Sequence, residues 1–147
     1  MAGSDAPAFS IVIPSWNNLA YLKLCVDSIQ RNATHAHQII VHVNEGADGT
    51  REWCESMAID HTYSEENIGI CKGVNRAAAL ATADYIVFLN DDMYVLPGWD
   101  EQLLMEARSF GYRLFMLSGT MIEPRDTGNP AVVVADYGKD IDSFKED

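Results

Sequence analysis

Short apolar runs rich in β-branched residues alternate along this chain with segments whose apolar residues recur every three or four positions, and this alternation constrains the fold most. Phe9-Ser-Ile-Val-Ile13 reads as a buried strand stopped by Pro14, a residue without an N–H. Asn17-Asn18 then offers a helix cap, and Leu19, Leu22, Cys25, Val26 and Ile29 form the stripe of an amphipathic helix to about Arg31. Gln38–Val43 reads as the second strand, and Asn44–Gly49 as a turn-rich loop. Thr50 is expected to cap a short helix through Met57, and His61–Ser64 to form a short third strand. The alanine-rich segment Ile70–Thr82 reads as a closely packed helix. Tyr85–Leu89 follows as a central strand, with a helix from Pro97-Gly98-Trp99 to about Ser109 and a further strand over Arg113–Ser118. Beyond these, Glu123–Pro130 reads as loop, Ala131–Ala135 as one more strand, and 136–147 as an acidic loop or tail. Near-continuous apolar strands separated by crossover helices predict an α/β fold, a mostly parallel sheet with helices on both faces, within a single domain over 1–147.

Composition narrows the function. A chain of 147 residues with 48% hydrophobic and 22% charged residues has ordinary globular composition. Twenty-two acidic against ten basic residues give a net charge of −12. That field repels phosphate backbones and anionic lipid, which argues against nucleic-acid and membrane-surface roles. An anionic small substrate then needs local help from a metal or from backbone dipoles. Cys25, Cys54 and Cys71 form no CxxC pattern and read as three buried free thiols of a reducing compartment. Met1–Ala8 lacks the basic-then-apolar order of a secretory signal, and no apolar run is long enough to span a bilayer. A cytoplasmic location is the expectation.

In an open α/β sheet, ligands collect in the loops at the carboxyl ends of the strands, near a change in strand order. Four loops fit: Pro14–Asn18, Asn44–Gly49, Asn67–Lys72 and Asn90–Met93. Asp91 and Asp92 close an apolar strand as adjacent carboxylates. Their mutual repulsion is relieved by a divalent cation, which takes oxygen ligands and commonly shares them with phosphate; the plain alternative is a solvated turn. Around Asn67, Gly69 lets backbone approach a ligand and Lys72 is placed to meet a phosphate, although the pattern is not a GxGxxG fingerprint and also describes an ordinary turn into a helix. Trp16 offers a face for a base or a lid over the first helix. His35, His37, His42 and His61 show no ligand spacing, and His42, between Val41 and Val43, reads as a packed hydrogen bonder.

Together the blocks Phe9–Asn17, Ile39–Thr50, Glu66–Asn75 and Ala83–Met93, followed by Pro97-Gly98-Trp99, resemble the family 2 glycosyltransferases of the GT-A fold. The resemblance implies a Rossmann-like nucleotide-diphospho-sugar transferase sheet and a donor site. Asn90-Asp91-Asp92 lies where that family carries its DXD motif, so Asp92 is implied to hold Mn²⁺ or Mg²⁺ on the diphosphate and Asp91 to sit near the ribose. Pro14, Ser15, Trp16 and Asn17 occupy the strand end that lies against the nucleoside, with Asn67, Gly69 and Lys72 in the third loop. Asn44 stands where many relatives carry an Asp that reads the base; a neutral Asn both donates and accepts, leaving the base open. A general base for the acceptor hydroxyl lies, in relatives, in a later acceptor half. Glu146-Asp147 comes too early for that role, so the catalytic base is unassigned and the chain is expected to be a donor-binding portion. Three roles follow: an inverting metal-dependent transferase or its donor domain, a non-catalytic nucleotide-sugar-binding or interaction module, and a nucleotidyltransferase, which Pro14–Asn18 disfavours by lacking a basic glycine-rich loop. An isolated donor half also leaves uncovered surface, which predicts self-association.

Overall fold

In a computed structural model the described residues are 6–112 and 114–146. The elements run β1 (Ser10–Trp16), α1 (Leu19–Asn32), β2 (Gln38–Asn44), α2 (Thr50–Ser56), β3 (Asp60–Ser64), α3 (Ile70–Ala78), β4 (Ile86–Phe88), α4 (Trp99–Ser109), β5 (Met121–Glu123) and β6 (Val132–Val134). The contacts divide the chain into two compact units, Met1–Leu104 and Met105–Asp147.

The first unit holds a four-stranded, wholly parallel sheet in the order β3-β2-β1-β4. Side chains alternate across it with period two. Ile11, Ile13, Val41 and Val43 face Leu22, Cys25, Val26 and Ile29 of α1, together with Cys54 of α2 and Leu104 of α4. Val12 and Ile40 face the opposite layer, where Ala77 of α3 is fully buried. The chain lays down β1, β2 and β3 in one direction, then crosses the other face through α3 to place β4 beside β1. Right-handed crossovers demand this change of face when the direction reverses. In open α/β sheets such a reversal is where ligand sites form, here at the carboxyl ends of β1 and β4.

Several expectations need correction. Pro14 does not end β1, which continues to Trp16 with Pro14 opposite His42. Ser10 N donates to Tyr85 O and Leu89 N to Val12 O, whereas Gln38 N donates to Phe9 O. Even-numbered residues of β1 thus turn their backbone groups toward β4, and the missing N–H of Pro14 falls beyond the end of β4, where no ladder bond is lost. The Tyr85–Leu89 strand is shorter than expected and lies at an edge of the sheet rather than its centre, with Ile86 and Phe88 about half exposed. Asn18 makes no side-chain cap; the first N–H of α1, Leu19, donates instead to Asp48 Oδ2 at 2.7 Å. The α3 helix stops at Ala78, four residues before Thr82. Of the three free cysteines, Cys25 and Cys54 are buried but Cys71 is exposed.

In the second unit, residues 114–118 form no strand, and Arg113 lies outside the described residues, as do residues 1–5 of the N-terminal reading and Asp147. The strand expected at Ala131–Ala135 is present as β6 and pairs in parallel with β5, an element the sequence reading missed. Strands of three residues, about 10 Å each, let a short link return the chain to the same end. No helix among the described residues is long and apolar enough to cross a membrane.

Two buried contacts set the layers. Gly73 of α3 lies so close to β2 that a Cβ there would stand 2.5 Å from His42 Cδ2. His42 bonds Thr62 Oγ1 through Nδ1 at 2.7 Å and meets Ser64 Oγ through Nε2 at 3.3 Å, as a packed hydrogen bonder should. At the opposite end of the sheet, the fully buried Asp100 accepts the N–H groups of Thr34 and His35 at 2.8–3.0 Å and the His37 Nε2–H at 2.9 Å. His37 also stacks on Phe9, with ring centroids 5.4 Å apart.

Removing these contacts has defined consequences. Gly73→Ala should destabilise the fold by about 1–3 kcal/mol through overpacking, despite alanine's better helix propensity; a stabilised variant in urea melts would contradict the packing described. Burial pushes the Asp100 carboxyl up, but the Thr34 and His35 N–H groups and His37 outweigh it and hold its pKa low. Burial holds His37 below its ordinary value, against the pull of Asp100. The neutral ring and the charged carboxylate each favour the fold at neutral pH. Stability should therefore decline as pH falls below about 6.5, through the lowered His37 value, and again below about 3.9, through the lowered Asp100 value. Asp100→Ala, which strands three donors, should cost about 3 kcal/mol and flatten the acid limb of the pH–stability curve; an unchanged limb would refute the assignment.

Candidate functional site

The loop after β4 is held from below by one face of α1. Cys25 Sγ–H donates to Asn90 O at 3.6 Å, Ser28 Oγ accepts from Val95 N at 3.1 Å, and Asn32 Nδ2 donates to Val95 O at 2.8 Å. These residues lie three and four positions apart, so a single helix face fixes the loop carrying Asp91 and Asp92. The Cys25 thiol is pushed up to about 12 by burial and by the two carboxylates, so it stays neutral and serves as a donor.

Asp91 is half-buried just beyond β4, where the strand order reverses, against the side chains of Ser15 from β1 and Asn18 from the start of α1. Burial raises its pKa from the ordinary value; Ser15 and Asn18 favour the charge, and the neighbouring Asp92 opposes it. Ser15 Oγ is buried and has no hydrogen-bond partner of standard geometry among the described residues. Asp92 is exposed beside this group. No group of three or more His, Cys, Asp or Glu side chains that could hold a metal ion occurs among the described residues. The available donor set, one or two carboxylates with open coordination positions, fits a cation held jointly with phosphate oxygens and not one caged by protein alone.

A second group forms where the loops after β1 and β2 meet. Trp16 is 56% exposed, and its Nε1–H donates to Glu45 Oε2 at 2.9 Å. Asn17 Nδ2 donates to the same oxygen at 3.0 Å, while Asn17 Oδ1 accepts Ala47 N–H at 2.9 Å. Asp48 joins the loops again: Oδ2 takes Leu19 N–H, and Oδ1 takes the Thr50 N–H at 3.1 Å and its hydroxyl at 2.6 Å. One carboxylate thus caps α1 and α2 together, so Thr50 is capped by Asp48 where it was expected to act as the cap. Partial burial raises the Asp48 pKa, but Thr50 and the Leu19 N–H outweigh it and hold it low. Gly46, at φ +71°, lets the loop turn tightly over Val43, whose Cγ1 would stand 2.8 Å from an added Cβ.

Asn44 is buried, and its Oδ1 accepts Ile68 N–H at 3.0 Å and faces Ser64 Oγ at 3.4 Å. It fastens the loop before α3 to the end of β2. In that loop Asn67 Oδ1 accepts Gly69 N–H at 2.9 Å, and Gly69 has φ +80°. Lys72 is exposed on the first turn of α3 and makes no ion pair with Asp91 or Asp92 among the described residues. Pro14 is buried within the ladder beneath Trp16.

The structure thus joins Ser15 to Asp91 next to Asp92, and Trp16 to Asn17. It keeps Asn44, Asn67 and Gly69 in a neighbouring network and leaves Lys72 apart. Asn18, Glu45 and Asp48 lie in two of the four loops expected to bear the site but were not singled out there. An acid directly before the glycine of a strand-end turn signals Glu45, and the Asp-Gly-Thr string signals Asp48.

Comparison with known proteins places these loops in a family. The model of glycosyl transferase family 2 matches residues 10–134. EpsH of Bacillus subtilis (strain 168) is 30% identical over 108 residues, which cover 70% of this chain and 31% of EpsH. TuaG of the same organism is 32% identical over 130 residues, 80% of this chain and 51% of TuaG. The chain therefore spans about a third to a half of the length of these relatives. Residues 1–349 of S. aureus TarS superpose with a TM-score of 0.62 at 18% identity, over 68% of this chain and 32% of that one. TarS has also been solved with UDP-GlcNAc and with UDP. The parallel sheet covered on both faces is the GT-A arrangement shared with TarS, and the chain belongs to glycosyl transferase family 2.

Proposed function

We propose that this chain carries the nucleotide-diphosphate-sugar half of an inverting, metal-dependent glycosyltransferase that transfers a sugar to an acceptor hydroxyl. The observation that carries the reading is the group of polar side chains at the strand-order reversal. There Ser15, Asn18 and Asp91 converge, Asp92 is exposed at the rim, and Trp16 is open beside them. In this reading Asp91 and Ser15 receive the ribose hydroxyls, and Trp16 and Asn17 flank the base. Asn67 and Gly69 shape the neighbouring wall, and Lys72 adds positive charge at its edge. Asn44 supports that wall through Ile68 N–H.

Asp92 would hold Mn²⁺ or Mg²⁺, with Asp91 close behind it. When bound, such an ion stabilises the negative charge that develops on the leaving diphosphate more in the transition state than in the ground state. The protein's own contribution is to hold the carboxylates in place without reorganisation. The α1 contacts to Asn90 and Val95 do this, and the neutral Cys25 thiol adds no further charge. The acceptor, the general base that takes its proton and any further domain of the intact enzyme belong to the same proposal.

Calorimetry with UDP, GDP and dTDP, each with and without Mn²⁺, tests the donor site. At least one nucleotide should bind more tightly with the metal, and Asp92→Ala should remove that increment, a loss of about tenfold or more in affinity. Absence of nucleotide binding at millimolar concentration, or binding indifferent to both metal and Asp92, would overturn the reading. Transfer of a labelled sugar to water or to an acceptor separates an enzyme from a binding module.

A further inference from the structure

Resting on that donor-site reading, we infer that Glu45 is a positioning residue for nucleoside recognition: its carboxylate locks the exposed indole of Trp16 in one orientation as a stacking platform. Trp16 combines two properties that seldom coincide. More than half of its surface is open, yet its single polar group is spent on Glu45 Oε2 at 2.9 Å. An indole has one donor and no acceptor, so with Nε1–H engaged its faces are what it offers a ligand. The bond is charge-assisted, and the same oxygen takes Asn17 Nδ2–H at 3.0 Å, so Glu45 ties the residue bearing the platform and the next one together.

The backbone on both sides is committed to this contact. Asn17 has φ +48° and Glu45 φ +59°, the left-handed region that non-glycine residues seldom occupy. Two such residues facing each other across adjacent loops, bonded to one another and braced by Ala47 N–H on Asn17 Oδ1, mark a segment held in one shape by cross-loop bonds. Asn44, the last residue of β2, has its carboxamide oxygen occupied by Ile68 N–H. Fixing the indole beforehand removes the ordering cost that a freely rotating side chain would impose on stacking. Glu45 thus acts on the base through Trp16 and has no part in holding the diphosphate.

The test compares UDP with inorganic pyrophosphate, each with Mn²⁺, by calorimetry on the 147-residue chain. Glu45→Ala should weaken UDP roughly three- to tenfold and leave pyrophosphate affinity within about twofold. Glu45→Gln, which keeps an oxygen acceptor for both donors, should bind UDP like the unaltered chain. In a Trp16→Phe background, where no Nε1–H exists, the effect of adding Glu45→Ala should shrink to the smaller part carried by the Asn17 bond. Equal weakening of UDP and pyrophosphate would overturn the inference, as would a Glu45→Ala effect that persists undiminished with Trp16→Phe, or unaltered UDP binding in Glu45→Ala. If the unaltered chain binds neither ligand, the donor-site reading falls, and this inference with it.

Discussion

The reversal of strand order beside β1 is the constraint from which the rest follows. A parallel sheet built outward in one direction through α1 and α2 must change faces to resume on the other side of β1, and α3 makes that change. The step leaves the carboxyl ends of β1 and β4 adjacent. Ligand sites of open α/β sheets form at such a reversal, outside the carboxyl ends of the strands. Pro14 is tolerated in β1 because its missing N–H points past the end of β4.

Three carboxylates of this chain have their charge answered by close donors, each to a different end. Asp100 is fully buried and saturated with donors, and it locks the far end of the sheet. Asp48 is held by Leu19 and Thr50 and starts two helices at once. Glu45 is held by Trp16 and Asn17. At Asp91, by contrast, burial and the neighbouring Asp92 oppose the charge. The strongly negative net charge is thus a poor guide to the site; the informative quantity is which acids have their charge already answered.

Much of the architecture was legible because period-two and period-3.6 patterns are set by local burial. The first three strands and α1, α2 and α4 lie close to where the apolar runs place them, and the small residues of α3 meet the sheet at Gly73 and Ala77 as their size implies. What failed is non-local. Whether Tyr85–Leu89 is central or at an edge depends on its neighbours, and a strand tolerates Pro14 only because of where β4 ends. The cap of α1 comes from Asp48, about thirty residues away, and not from the adjacent Asn18. The site shows the same division. The Asp91-Asp92 pair and Trp16 stand out as residue types at a strand end, whereas Glu45 and Asn18 matter through partners that only the fold supplies, and Asn44 is turned inward by a bond to the loop before α3.

The central claim is a metal-supported nucleotide seated at the carboxyl ends of β1 and β4. Crystals grown with UDP and Mn²⁺, with data collected at the manganese absorption edge, test it most directly. The account predicts an anomalous peak against the Asp92 carboxylate that also touches the diphosphate, with the base lying on the Trp16 indole. Manganese bound elsewhere, or a nucleotide seated away from Ser15 and Trp16, would contradict it.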